Sequence, residues 1–208
     1  MTHALIAGLA AGYGIAVPLG AVAVLIVSLA ARNSFRIGAA AGLGAATADL
    51  IYAAVAVTTG YALAPILVRM TLPLQLFGAA VLAVLAAKGL RAAWRARADT
   101  GSDGSAAAGP LGRTYVGYLG LTLLNPLTII YFAALVVGRA APVATTATAT
   151  TFVIGVFAAS LSWQLLLAAV GATLHRSSIG ASRFWISLIG NALIVAIAIR
   201  LAVAATTR

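Results

Sequence analysis

One carboxylate lies inside an apolar run of this chain. Asp49 belongs to the stretch GAAAGLGAATADLIY, whereas the other two acids, Asp99 and Asp103, lie in a segment rich in Gly and Ser. An ionised carboxylate in a bilayer is costly, so such a residue normally faces a bundle interior or a wet cavity and serves transport. Asp49 is therefore the first candidate functional residue. A carboxylate tied to a polar partner for packing alone is the alternative.

The residues around Asp49 predict that its side chain points into a seam between helices. At helical spacing, small residues share its face of the helix. They are Gly38, Gly42, Ala45 and Ala53. A face of small residues lets a neighbouring helix approach closely inside a membrane.

The composition is that of an integral membrane protein. Hydrophobic residues make up 63% and charged residues 8% of the 208 positions. The apolar runs are long and continuous, as in membrane helices and unlike barrel strands. The chain has no cysteine, which excludes disulfides and thiol chemistry. The net charge of +10 does not indicate nucleic acid as a partner, because Lys and Arg mark the ends of apolar runs.

Six apolar runs predict an all-α protein with six transmembrane helices. The runs cover about residues 5–31, 37–59, 72–90, 115–137, 151–174 and 184–204. The first is interpreted as a retained span, since it is too long for a signal-peptide core. Residues 61–70 are also apolar, either as an interfacial helix or as part of a span. Residues 99–114 are predicted to be a flexible cytoplasmic linker between two three-helix units, 1–98 and 115–208.

The basic residues predict the orientation of the spans. Loops after the odd-numbered spans hold nine of the thirteen Lys and Arg residues. By the positive-inside rule these loops are cytoplasmic, and both termini lie outside. The second span then crosses from residue 37 to residue 59, which places Asp49 at mid-membrane.

The two three-helix units align with each other. Pro18 aligns with Pro126, residues 44–52 (GAATADLIY) with 155–163 (GVFAASLSW), and residues 76–88 with 188–200, at offsets of 108 to 112. Units with an odd number of spans insert in opposite directions, so an inverted repeat is predicted. Transporters of this design bind substrate near mid-membrane, between the repeats.

The alignment also predicts where the helices break. Pro18 and Pro126 fall inside spans, where proline removes a backbone hydrogen bond, and Gly20 and Asn125 deepen the break. A proline kink without function is the alternative.

The alignment predicts two walls of a binding site. Asp49 aligns with Ser160, and Tyr52 with Trp163. One charged and one neutral wall, each with an aromatic residue, suit an asymmetric polar ligand or a cation. For Tyr52 and Trp163, a packing or interfacial role is the alternative.

These blocks resemble the LysE/RhtB family of bacterial amino-acid exporters. The resemblance is carried by Pro18 and Gly20 before an apolar run, by GLGAATADLIY, by LLNP, by FAASLSW and by the ending from Gly190 to Arg200. It covers nearly the whole chain. It implies six spans in inverted repeats, no cofactor, and export of amino acids or similar metabolites across the inner membrane, driven by the proton gradient.

Several positions match the pattern of that family. They are Asp49, Asn125, Pro126 and Trp163. One position departs from it, since Ala21 stands where the family usually has a second proline.

Other functions fit the sequence less well. A metal-ion exporter needs clustered oxygen, His or Cys ligands, and the two histidines, His3 and His175, lie at a terminus and a span end. A membrane-embedded enzyme needs paired acids or a nucleophile with a base, and Ser160 and Ser162 have no His or Lys at membrane depth. A passive channel, the remaining alternative, would leave Asp49 without a coupling role.

Desolvation predicts a mechanism of antiport. Burial disfavours the charged form of a carboxyl group, so Asp49 can be protonated in a dry cavity and ionised when water or a cationic amine reaches it. Proton and substrate amine would then compete for one site. The expected partners are a small-molecule substrate, with amino acids favoured, and the lipid bilayer, while a homodimer is left open.

Overall fold

The computed structural model describes residues 1–17, 21–59, 109–137 and 145–177, with the single helical positions Ala80, Val84, Ala87, Arg91 and Ile199. Every element in these ranges is an α-helix, so the all-α prediction is confirmed for the described residues. Beyond those single positions, the predicted spans 72–90 and 184–204 lie outside the described residues. So do Pro18, Gly20 and most of the predicted linker.

Six helices occupy the described ranges. They are α1 Thr2–Ala16, α2 Ala21–Arg32, α3 Phe35–Thr59, α4 Leu111–Leu123, α5 Pro126–Val137 and α6 Thr146–Ser177. Among the described residues, α3 and α6 are each long and apolar enough to cross a membrane, and α1 with α2 would be a third, bent span. The six-span count therefore stays a prediction.

The helices follow the same order in both halves. Two short helices, α1 and α2, precede the long helix α3, and the short helices α4 and α5 precede the long helix α6. Helix α3 begins at Phe35 and α6 begins at Thr146. The difference of 111 residues equals the offset at which the two long helices align in sequence.

Hydroxyl side chains mark where both long helices begin. The Ser34 hydroxyl accepts a hydrogen bond from the Ile37 N–H at 3.4 Å. Before α6, the Thr145 hydroxyl accepts from the Thr148 N–H at 3.2 Å, and the Thr148 hydroxyl accepts from the Thr145 N–H at 3.0 Å. Such reciprocal bonds resemble a capping box, and they explain why α6 begins ahead of the predicted residue 151.

The long helices α3 and α6 run antiparallel at the centre of the described structure. Gly38 lies against Ala168, and Gly42 lies against Gln164. Apolar clusters surround the two ends of this helix pair. One cluster includes Ala53, Phe132 and Val156, and the other includes Ile26, Ala45 and Leu167.

Candidate functional site

A hydrogen bond between Asp49 and Ser160 links the two long helices. The Ser160 hydroxyl donates to Oδ2 of Asp49 at 2.6 Å. Both side chains are buried, with Asp49 3% and Ser160 0% exposed. Ala45 and Ala53, one helical turn to either side of Asp49, are completely buried. The carboxylate therefore points into the seam between α3 and α6.

The described residues leave the Asp49 carboxylate without a compensating cation. Within them, Ser160 is its one hydrogen-bond donor. The described titratable side chains that interact with Asp49 electrostatically are the phenols of Tyr52 and Tyr131. A buried charge without a counter-charge is strongly unfavourable. Uptake of a proton or of a cationic group relieves that cost, so the site has the chemistry to exchange one for the other.

Tyr52 on α3 contacts the interruption between α4 and α5. Its hydroxyl donates to the carbonyl of Leu123, the last residue of α4. That carbonyl has lost its usual helical partner, because the Leu127 N–H donates to the Asn125 side chain instead. The ring of Tyr52 also stacks on Phe132, with centroids 5.7 Å apart. Tyr52 therefore supplies the donor that the broken helix lacks.

Asn125 and Pro126 form the start of α5. The side-chain oxygen of Asn125 accepts a hydrogen bond from the Leu127 N–H at 3.1 Å, as an N-cap residue does. Pro126 is the first residue of α5, a position where its missing N–H leaves no helical bond unmade. The predicted span 115–137 is thus two helices that meet at residues 124 and 125. In the described residues, no hydrogen bond joins Asn125 to Asp49.

Trp163 lies on α6, partly buried beside the cluster that includes Ile26 and Leu167. Its indole nitrogen Nε1 is buried and has no hydrogen-bond partner among the described residues. A buried indole N–H usually finds an acceptor. Trp163 therefore holds an unused donor one helical turn from Ser160.

Sequence reasoning missed two buried polar side chains, Thr122 and Gln164, which are 4% and 6% exposed. The Oγ1 atom of Thr122 and the Oε1 atom of Gln164 have no partner within the described part of the chain. Both residues carry a sequence signal. Gln164 follows Ser160 by four residues in an apolar helix, and Thr122 directly precedes the LLNP block.

Sequence reasoning also missed a contact between the two halves. The Tyr131 hydroxyl on α5 donates to the carbonyl of Ala11 on α1 at 2.8 Å. The Tyr131 ring meets Phe132 edge to face, with centroids 5.5 Å apart. Phe132 therefore lies between Tyr131 and Tyr52, which connects the α4–α5 break to α1 and α3.

The remaining predicted positions add no contact to the site. Pro18 and Gly20 lie outside the described residues. Within the described ranges, no group of three His, Cys, Asp or Glu side chains could hold a metal ion.

An apolar helical bundle that buries a carboxylate beside an interrupted helix has the character of an integral membrane protein with a polar site inside it. The family model of the LysE type translocators matches residues 14–205. The chain belongs to this family, and it is therefore a membrane transport protein. The comparisons with curated proteins and with solved structures gave no match.

Proposed function

We propose that this protein is a secondary active exporter of amino acids or related small metabolites across the bacterial inner membrane, and that it exchanges them for protons. The observation that carries the proposal is the Asp49 carboxylate. It is buried on the long helix α3, and Ser160 is its one hydrogen-bond donor among the described residues. Membership of a translocator family supports the same conclusion.

The mechanism follows from the cost of a buried charge. When the site is dry, Asp49 carries a proton and the Ser160 hydroxyl bridges α3 to α6. When a substrate amine approaches, the proton leaves and the carboxylate pairs with the ammonium group. Either occupant neutralises the site, whereas the empty ionised site is disfavoured. Proton and substrate are thereby required to alternate, which is the condition for antiport.

The unpartnered polar atoms near this pair provide the remaining contacts for the substrate. Gln164 Oε1 is an acceptor, Trp163 Nε1 is a donor, and the Thr122 hydroxyl can serve as either. An amino acid carries both an ammonium and a carboxylate group, so it needs acceptors and donors together. The acceptors would meet the ammonium group and the donors would meet the carboxylate.

The test is transport by the purified full-length protein in liposomes, with a panel of basic, polar and apolar amino acids under an imposed pH gradient. The parent protein should exchange at least one of them against protons. Asp49→Asn keeps the shape of the side chain and can still accept from Ser160, but it cannot ionise. Gradient-driven exchange should therefore be lost, while the variant unfolds at the temperature of the parent.

Thr58→Val provides the matched control on the same helix. Thr58 is exposed, and its hydroxyl bonds only to the carbonyls of Ala54 and Val55 on its own helix. This variant should transport at the rate of the parent. Full gradient-driven exchange by Asp49→Asn would contradict the coupling role. Failure of the parent to move any amino acid in the panel would contradict the substrate class.

A further inference from the structure

Each half packs its long helix against the first helix of the other half, and the two contacts have the same form. They are made by Gly44 on α3 and by Gly155 on α6. A side chain at either position would collide with a carbonyl oxygen and with the amide nitrogen four residues later. These backbone atoms belong to Tyr115 and Leu119 for Gly44, and to Leu5 and Leu9 for Gly155.

Exchange of the two halves converts one of these contacts into the other. Gly155 follows Gly44 by 111 residues, and Tyr115 and Leu119 each follow Leu5 and Leu9 by 110 residues. The partners are also exchanged, because α3 meets α4 from the second half and α6 meets α1 from the first. This is the pattern of a two-fold relation between the halves, and it agrees with the sequence alignment.

Equivalent positions of a two-fold arrangement touch each other only where the axis passes between them. Asp49 and Ser160 are separated by the same 111 residues, and their side-chain oxygens are 2.6 Å apart. Other contacts between α3 and α6 join positions that are not equivalent, such as Gly42 with Gln164. The axis therefore passes through the Asp49–Ser160 pair.

We propose that positions 49 and 160 form one site on this internal axis, so that a carboxylate placed at either position reaches the same point and performs the same coupling. Ser160 is then the second position of the coupling site, and more than a hydrogen-bond partner. A carboxylate on the axis faces both halves alike. One proton or one ammonium group could then be received from either side of the membrane without displacement of the acid.

The inference deepens the proposed function and rests on it for its transport readout. The test is the exchange of the two side chains, D49S/S160D, in the full-length protein. Composition and net charge are unchanged by the exchange. The matched control is D49S/S162D, which has the same composition but places the acid on another face of α6, where the exposed Ser162 bonds Tyr13 at 2.9 Å.

The first readout is the infrared band of the carboxyl group, followed as a function of pH and taken as the difference from D49S. It needs no substrate. The band of D49S/S160D should titrate with the midpoint of the parent, and the band of D49S/S162D should not. The second readout is proton-driven exchange in liposomes, which D49S should lose, D49S/S160D should regain and D49S/S162D should not regain.

The outcomes separate this inference from the proposed function. If the parent exports no amino acid, the proposed function fails, while the infrared comparison still tests the shared site. If D49S/S160D folds but titrates like the Ser162 control, the shared site is contradicted. D49N/S160D offers a second route, since the amide can still bond to the new acid. If neither exchange variant folds while D49S/S162D does, the two positions are not interchangeable and the inference is overturned.

Discussion

Four polar side chains near the α4–α5 break divide into two groups by their partners. Asp49 and Ser160 bond to each other across the helix seam, and no backbone group takes part. Tyr52 and Asn125 bond to backbone atoms at the break. Side chains already engaged with the backbone hold the framework of the site. We therefore expect Asp49 to govern transport and Tyr52 to govern stability first.

Tyr52→Phe isolates the hydroxyl group, because the ring can still stack on Phe132. The Leu123 carbonyl would lose its donor, and an unpaired acceptor inside a protein destabilises the fold by about 1 kcal/mol or more. Thermal unfolding in detergent should show this loss. Tyr13→Phe removes an exposed hydroxyl that bonds Ser162 and should change stability by less than about 0.5 kcal/mol. Equal effects of the two substitutions would contradict the assigned role of Tyr52.

The helices differ in how far the sequence could predict them. The run from 37 to 59 and the small-residue face around Asp49 follow from apolar length and spacing, and the structure has α3 from Phe35 to Thr59. The interruption before α5 follows from proline chemistry at Pro126. The start of α6 at Thr146 was missed, because its reciprocal threonine bonds are a capping signal that lies outside the most apolar window.

The contacts of the site could not be predicted to the same degree. Tyr52 meets Leu123 across 71 residues of sequence, and no local pattern encodes which carbonyl needs a donor. The sequence alignment paired Asp49 with Ser160 as equivalent positions. Equivalence alone does not imply contact, since most equivalent positions of a two-fold pair lie far apart. Only the way that α3 and α6 pack brings these two side chains together.

Pro126→Ala tests the purpose of the interruption. Alanine restores an N–H group and removes the ring that prevents α4 from continuing into α5. Transport should slow strongly if the break is required, while the free energy of unfolding should change by less than about 1 kcal/mol, because this position begins a helix and tolerates either residue. The measurements are exchange in liposomes and thermal unfolding.

Pro110→Ala is the control for this substitution. Pro110 is the exposed N-cap residue of α4, so its replacement also changes a proline at a helix start but leaves the break intact. Transport by this variant should equal that of the parent. A loss of stability at Pro126 without slower transport would place the substrate elsewhere in the molecule.

At the scale of the whole molecule, the described basic side chains favour one end of the bundle. Arg32 ends α2, and Arg36 lies in the first turn of α3. The last turns of α6 lie near the start of α3, because Gly38 contacts Ala168. The other end of α6 begins instead with a run of threonines, TTATATT. A bundle with basic residues at one end and neutral hydroxyls at the other is oriented with the basic end in the cytoplasm.

The orientation can be measured by labelling single cysteines, because the natural chain has no cysteine to give background. Asn33→Cys lies in the turn between α2 and α3 and should react only with reagents that reach the cytoplasm. Thr145→Cys, just before α6, and Thr2→Cys, at the start of α1, should react from outside. A tag after Arg208 should also be accessible from outside, since six spans return the chain to the side on which it began. A cytoplasmic tag together with an external Thr2 would require an odd number of spans, and two inverted three-helix repeats would then be excluded. External labelling of Asn33 with internal labelling of Thr145 would preserve the repeats but reverse them in the membrane, against the positive-inside rule.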